Sequence, residues 1–318
     1  MNLTELARLC GCTPSTVSKA FRNSPNLHPD TKKRILDAAR ENGITVSTEQ
    51  ILRGRTVLVL APTFNNEVDS RRLSIMQKKL QTHGISMLAA SWEYDPAGIM
   101  QLPAFARTVR GLCGIVCYDS ITPDCAASMK RLHIPIVTSV LSSGFDCTYN
   151  TVLDGYRQAV RHLAEHGRQR IAFIGETHTT SKEFCFRQAM AELGLPIDNR
   201  QIYRSKLYSS AAGAEGFDAL FSGDTPPDAV LCAYDYIALG VLNCAQAAGM
   251  DVPGELAVIG ADNIKAAYAY RLGLTTLAAD CEQMADTLIE LLIRRIREPD
   301  APLQQIAIPW NLIIRETG

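Results

Sequence analysis

The chain has 318 residues, 47% of them hydrophobic and 20% charged, which is enough to bury a large core in more than one domain. No apolar run approaches the ~20 residues that span a bilayer, and no charged-then-apolar leader opens the sequence, so a cytoplasmic protein without a membrane partner is expected. The net charge of −1 conceals an asymmetry: residues 1–55 carry nine Lys/Arg against five Asp/Glu, or +4, which leaves −5 for the remainder, as suits a basic head on phosphates and an acidic body held clear of them.

The first predicted helix begins near Thr4. Leu6, Leu9 and Cys10, with Ala7 beside them, have the i, i+3, i+4 spacing that gathers apolar side chains on one helical face. Gly11 stops the helix, because glycine takes the left-handed conformation of a C-cap. Thr13-Pro14 then restarts the chain with an N-cap hydroxyl and a proline at the first helical position. In the second helix Val17, Ala20 and Phe21 form the inner face, and Ser15, Thr16, Ser18, Lys19 and Arg22 point away. Short hydroxyl side chains plus cations, on a helix angled by a tight turn, suit phosphates and base edges in a major groove. Periodicity by itself describes an ordinary helical hairpin equally well. A third helix is predicted from about Asp30 to Asn42, with Ile35, Leu36 and Ala39 inward and Gly43 ending it.

Residue identities separate these readings. The run from Thr13 to Phe21, T-P-S-T-V-S-K-A-F, followed by Pro29-Asp30-Thr31-Lys32-Lys33-Arg34-Ile35-Leu36-Asp37-Ala38-Ala39-Arg40-Glu41-Asn42-Gly43, resembles the DNA-binding head of the lactose-repressor/galactose-repressor (LacI/GalR) family. There the pattern reads S-x-x-T-V-S-R, a loop, then S-x-x-T-R-x-R-V-x-x-A-x-x-x-G-Y. Ser15 and Lys19 are assigned to base edges, with Pro14 as an apolar contact. Thr16, Ser18, Arg22 and His28 are assigned to phosphates, and Thr4 joins the DNA-facing set. The family more often has arginine at the position of Lys19.

Residues 1–44 are thus expected to form the helix-turn-helix domain and 45–55 a linker. In the family the corresponding stretch, G-Y-x-P-N-x-x-A-R-x-L, forms a hinge helix whose leucine wedges into the minor groove. Here Ile44 replaces the tyrosine, no Pro-Asn follows, and Glu49 and Gln50 stand at the Ala-Arg positions. Leu52 aligns with the wedging leucine; a plain linker is the alternative.

From Thr56 to the end, residues 56–318, short aliphatic runs alternate with amphipathic stretches. Strands are predicted at Val57–Ala61, Ile85–Ala90, Gly114–Tyr118, Pro135–Val140, Ile171–Gly175, Ala229–Ala233 and Leu256–Ala261. Helices include Ser70–His83, Asp154–His166, Ser181–Leu193 and Asp235–Ala248, each followed at once by glycine. Such alternation predicts parallel, doubly wound sheets, two for this length, the second beginning near Val152. Ligands in this architecture bind outside the carboxyl ends of the strands. That directs attention to Thr63, Phe64 and Asn65, to Tyr118 and Asp119, to Glu176–Ser181, to Tyr234 and Asp235, and to Asp262 and Asn263. For any one of them, forming a turn or capping a helix is the plain alternative.

The resemblance continues through this body. Asp154-Gly155, Ala159, His162-Leu163, Gly167 and Arg170 to Gly175, then Pro227-Asp228, Val258 to Asn263, Leu274 to Leu277 and Ile308-Pro309, match family patterns shared with sugar-binding periplasmic proteins. It implies a bilobed, periplasmic-binding-protein-like α/β body with a sugar or sugar derivative between the lobes. Lys182 aligns with an arginine that holds sugar hydroxyls, Tyr234 with an asparagine and Asp262 with a ligand-facing aspartate. Phe64, Asp119 and Asp235 complete the candidate effector set. Lysine lacks the planar fork of arginine, so a different hydrogen-bond pattern to the ligand is expected.

No G-x-S-x-G, H-E-x-x-H, Walker or G-x-G-x-x-G motif occurs, so neither an enzyme nor a cofactor is expected. The ten cysteines include no C-x-x-C pair and read as reduced core residues. His162 and His166, four apart on one helix, read as helix-end residues rather than metal ligands. A ligand-responsive regulator, a repressor that binds near-palindromic operator DNA as a homodimer or tetramer, accounts for head, linker and body together. A solute receptor accounts for the body alone, and a Rossmann-like enzyme would need a catalytic constellation that is absent.

Overall fold

The computed structural model describes residues 2–21, 27–43, 52, 54–93, 95–119, 122–142, 144–269 and 271–318. At its start Asn2 caps helix α1 (Leu3–Leu9) with a capping box: Asn2 Oδ1 accepts from the amides of Thr4 and Glu5 at 3.0 Å each, and Glu5 Oε2 accepts from the Asn2 amide at 2.9 Å. Gly11 turns the chain at φ +59°, and Thr13 Oγ1 accepts from the Thr16 amide at 3.2 Å to open α2 (Pro14–Phe21). With α3 (Pro29–Glu41) these helices close one small core of Leu6, Ala7, Cys10, Val17, Ala20, Phe21, Ile35 and Ala39. Leu9 departs from expectation: it is 58% exposed. At 100° per residue Ala7 and Cys10 draw the buried stripe to the side of Leu6 away from Leu9.

Two compact units follow from the contacts, Met1–Thr148 with Ala285–Ile306, and Tyr149–Met284 with Ala307–Gly318. The first holds β1 (Thr56–Ala61), β2 (Ser86–Ser91), β3 (Leu112–Cys117), β4 (Ile136–Thr138) and the start of β5 (Asp146–Thr151), in the order β2-β1-β3-β4-β5. Every pairing is parallel, with Leu58 opposite Leu88 and Ile115, and Ile115 opposite Ile136. Helices α4 (Glu67–Thr82), α5 (Pro96–Thr108) and α6 (Pro123–Lys130) connect them. Leu58, Leu60 and Ile115 pack with Ile99 and Leu102 of α5 and Met129 of α6 in one apolar cluster. Such cover over a parallel sheet explains why β1 is an almost uninterrupted aliphatic run.

The second unit holds α7 (Val152–Glu165), β6 (Ile171–Glu176), α8 (Thr180–Glu192), β7 (Ile202–Ser205), α9 (Ser210–Phe221), β8 (Ala229–Cys232), α10 (Asp235–Ala247), β9 (Ala257–Ala261), α11 (Lys265–Ala269) and β10 (Thr275–Ala279). Helix α12 (Cys281–Arg297) starts in this unit and ends in the first, and β11 (Gln305–Ile313) starts in the first and ends here. The sheet order is β7-β6-β8-β9-β10-β11, parallel except that β11 runs antiparallel to β10. Helices α9 and α10 touch backbone to backbone. A Cβ on Gly213 would stand 2.0 Å from Ile237 O, and one on Gly240 the same distance from Ser210 O.

The architecture is the expected one, two largely parallel doubly wound sheets, with the antiparallel β11 as the difference. Strands β5, β7, β10 and β11 lie outside the expected set because their sequences are short, polar or alternating: β10 opens on Thr275-Thr276, and β5 begins with Asp146, whose buried carboxylate accepts from Arg295 Nε at 2.6 Å and the Gln304 amide at 2.8 Å. Among the described residues, no helix is long and apolar enough to cross a membrane.

Candidate nucleic-acid interface and ligand-binding strand ends

Helix α2 presents the expected outer face. Pro14, Ser15 and Lys19 are exposed, Thr16 and Ser18 half-buried, and Val17, Ala20 and Phe21 sealed inward. Ser15, Ser18 and Lys19 share one side at i, i+3, i+4. Thr16 serves the cap as well, its hydroxyl 2.9 Å from that of Thr13. Thr4 is exposed on α1, and its amide is taken by the Asn2 cap. His28, 73% exposed, lies with Nδ1 3.5 Å from Asp30 Oδ2, next to the first turn of α3. Arg22 and linker residues 45–51 and 53 lie outside the described residues. Leu52 is described and is 1% exposed in the chain without DNA, so a wedging role would require it to leave this burial on binding.

In the second unit the carboxyl ends of the strands bring together three of the expected effector residues. Lys182, in the first turn of α8, donates from Nζ to Ala233 O at 2.7 Å and lies 3.8 Å from Asp262 Oδ1. The same ammonium stands 3.9 Å from the Tyr234 ring centroid and 5.0 Å from that of Trp310, both within cation–π range. Tyr208 meets Tyr234 edge-on at 4.7 Å. Asp262 and Asn263 hold φ of +109° and +52°, left-handed conformations that cost a non-glycine residue energy and that cluster at functional sites. The Asp262 amide donates to Leu277 O at 2.7 Å, and Arg315 Nη2 donates to Asn263 Oδ1 at 2.6 Å, so the turn is pinned from both sides.

Asp235 behaves differently from its neighbours. It is 1% exposed, and both oxygens are engaged by protein groups: Oδ1 accepts from Thr276 Oγ1 at 2.5 Å and Oδ2 from the Ile264 amide at 2.9 Å. Burial pushes its carboxyl up to about 7, against the pull of those two hydrogen bonds. Gly260 makes the room, since a Cβ there would fall 2.2 Å from Asp235 Oδ1. Asp235 therefore fixes the 262–264 turn rather than presenting an acceptor. Glu176 is likewise self-contained, its Oε2 accepting from the His178 amide at 2.8 Å.

The first unit carries the other two candidates on adjacent strand ends. Phe64 is exposed after β1 and Asp119 half-buried after β3, and the Tyr118 amide donates to Leu60 O at 2.8 Å, tying those ends together. Arg72 lies over the Tyr118 ring at 6.0 Å.

Three residues of the second-unit site had no signal in their local sequence: Tyr208, Trp310 of β11, and Tyr156 of α7. Tyr156 is wholly buried and its hydroxyl has no partner; nor has Trp310 Nε1. Only their aromatic identity marked them. Elsewhere, the His162 and His166 rings lie 4.3 Å apart, tilted by 46°, with His166 Nδ1 2.7 Å from His162 O, and among the described residues no group of three His, Cys, Asp or Glu could hold a metal. All ten cysteines are free, and burial raises the thiols of Cys113 and Cys117 to about 11 and 12.

Residues 160–317 match the model of a periplasmic binding protein-like domain. Catabolite control protein A of Priestia megaterium is 23% identical over 336 residues, a match covering 100% of this chain and 99% of that protein. Among solved structures, a complex of the transcriptional regulator CelR with cellobiose superposes with a TM-score of 0.70 at 21% identity over 100% of both chains. A LacI family transcriptional regulator from Enterococcus faecium with bound ribose gives 0.69 at 21% identity, covering 83% of this chain and 98% of that one. The structural likenesses carry the fold. Because the sequence match runs through the amino-terminal helices as well as the body, the chain is similar over its whole length to transcriptional regulators of this kind, with a periplasmic binding protein-like domain at residues 160–317.

Proposed function

We propose that the chain is a ligand-responsive repressor of carbohydrate-related genes, acting in the cytoplasm on a near-palindromic operator. The observation that carries this reading is α2: a capped helix whose inner face is sealed and whose outer face offers Ser15, Ser18 and Lys19. Residues 1–44 read the DNA, 45–55 link, and 56–318 bind effector and dimerise. Two heads on one site multiply the weak affinity of each and fix the half-site spacing, so the working form is a homodimer or a tetramer of two dimers. The Lys182, Tyr234 and Asp262 group is the effector-facing end of the second unit, with Asp235 as its positioning residue; Phe64 and Asp119 are the effector candidates of the first unit. The cellobiose and ribose held by the two related structures support a sugar or sugar derivative. Whatever the effector, it shifts DNA affinity only by its differential affinity for the two states.

Fluorescence titration of operator DNA across a salt series tests the assignment. Lys19→Ala should lose about 1–3 kcal/mol of discrimination between cognate and mutated operators, whereas Arg22→Ala should weaken all DNA alike and reduce the salt slope by about one. Identical behaviour of the two variants would sink this division of labour. Sedimentation showing only monomer at micromolar concentration would sink the dimer.

A further inference from the structure

The ammonium of Lys182 sits among a carbonyl, a carboxylate and two aromatic faces: Ala233 O at 2.7 Å, Asp262 Oδ1 at 3.8 Å, the Tyr234 ring at 3.9 Å and the Trp310 ring at 5.0 Å. That set of groups is how proteins hold ammonium ligands in general. The side chains of Lys182 and Asp262 are only 14% and 16% exposed, so the attraction acts largely out of water, where it is stronger. Asp235, buried alongside, is taken by Thr276 and the Ile264 amide, which leaves Asp262 as the carboxylate that faces the ammonium. Tyr156 Oη and Trp310 Nε1 still lack partners.

A ligand that enters here has to move Lys182. If it is neutral, Asp262 and Ala233 O lose a cation in a site that water reaches poorly, and giving up a charge-assisted contact there is costly. If it brings its own ammonium, all four contacts are restored, and the displaced lysine, on a flexible four-carbon stem, reaches solvent. Resting on the reading of these strand ends as the effector site, we propose that the effector is an amino sugar and that Lys182 is a tethered stand-in for its protonated amine. The sugar hydroxyls meet Tyr156 Oη and Trp310 Nε1. A tethered competitor lowers apparent affinity by the fraction of time the seat is open. Its removal therefore raises affinity for a cation, opposite in sign to the loss of a direct ligand contact.

Calorimetric titration of the full chain at pH 7 with matched pairs, glucosamine and glucose, galactosamine and galactose, mannosamine and mannose, gives the first readout. At least one amine should bind about tenfold more tightly than its neutral partner. Tetramethylammonium should bind Lys182→Met about tenfold more tightly than the unaltered chain, and the gain should vanish in Lys182→Met/Asp262→Asn. A neutral sugar that binds as well as its amine overturns the proposal while leaving the sugar-effector reading standing. Tetramethylammonium binding to Lys182→Met without any sugar binding supports the seat and overturns the sugar reading instead. No gain for Lys182→Met overturns the seat; should that variant fail to fold, the matched pairs decide alone.

Discussion

The outer face of α2 and the strand ends of the second unit are both candidate binding surfaces, and they are built in opposite ways. On α2 the candidate residues lie within six positions of one another on a single regular helix, exposed or half-buried, with the fold beneath them sealed by Leu6, Val17, Phe21 and Ile35. At the strand ends, Lys182, Tyr234, Asp262 and Trp310 come from four separate segments, and the Lys182 ammonium is already engaged with the other three. A surface that meets a large, charged, pre-formed duplex needs only to be presented. A pocket for a small molecule has to be assembled and kept satisfied while empty.

If the two regions are built so differently, they should fail differently. The largest effect is expected from Leu6→Ala. Emptying a fully buried leucine costs about 2–5 kcal/mol, comparable to the whole stability of so small a helical unit. Operator binding should vanish while effector titrations of the same variant stay unchanged. Gly213→Ala is the mirror experiment. Its methyl would collide with the backbone at Ile237 O and Gly240 Cα, and overpacking of this kind costs about 1–3 kcal/mol. Thermal unfolding should show the loss in the second unit, with the circular dichroism of the amino-terminal helices retained at the temperature where effector binding fails.

Asp235→Asn should sharpen the contrast through pH. The folded carboxyl titrates at about 7, well above its ordinary range near 3.9, so between those values the folded chain holds a proton that the unfolded chain releases. This group's contribution to stability is therefore complete below pH ~4, falls as pH rises towards 7 and is flat beyond. The asparagine variant should lose less stability than the parent between pH 5 and 7. Glu183 and Glu192, held low by hydrogen bonds from arginines, slope the other way and cancel in the comparison. A parallel pair of pH–stability curves would refute the assignment. The smallest effect belongs to Thr13→Ala, which removes the α2 cap at a cost of about 1 kcal/mol and should weaken operator binding modestly at 25 °C and more on warming.

How much could be read in advance follows the same division. The helix-turn-helix was legible because caps, turn glycine and apolar spacing are local signals, and only Leu9 was misplaced, where the inward stripe turned towards Ala7 and Cys10. The parallel sheets were legible because strands buried on both faces are plain aliphatic runs. Lys182, Tyr234 and Asp262 were named from the family resemblance, and they stand together because β6, β8 and β9 end side by side. Asp235 was read as a ligand group because sequence cannot show that Thr276, 41 positions on, takes one of its oxygens. Trp310 was missed for the same reason: β11 reaches this end of the sheet through an antiparallel pairing with β10 that no short-range pattern announces. Leu52 aligned with a wedging residue, yet its burial is a property of the folded unit and not of the alignment.

Selection of genomic DNA fragments on the full-length chain at near-physiological salt, beside a truncated chain starting at Thr56, tests the central claim most directly. A two-fold symmetric site should be enriched by the full-length chain alone, and less so by Lys19→Ala. Equal enrichment by both chains, or none by either with and without candidate sugars, would contradict it.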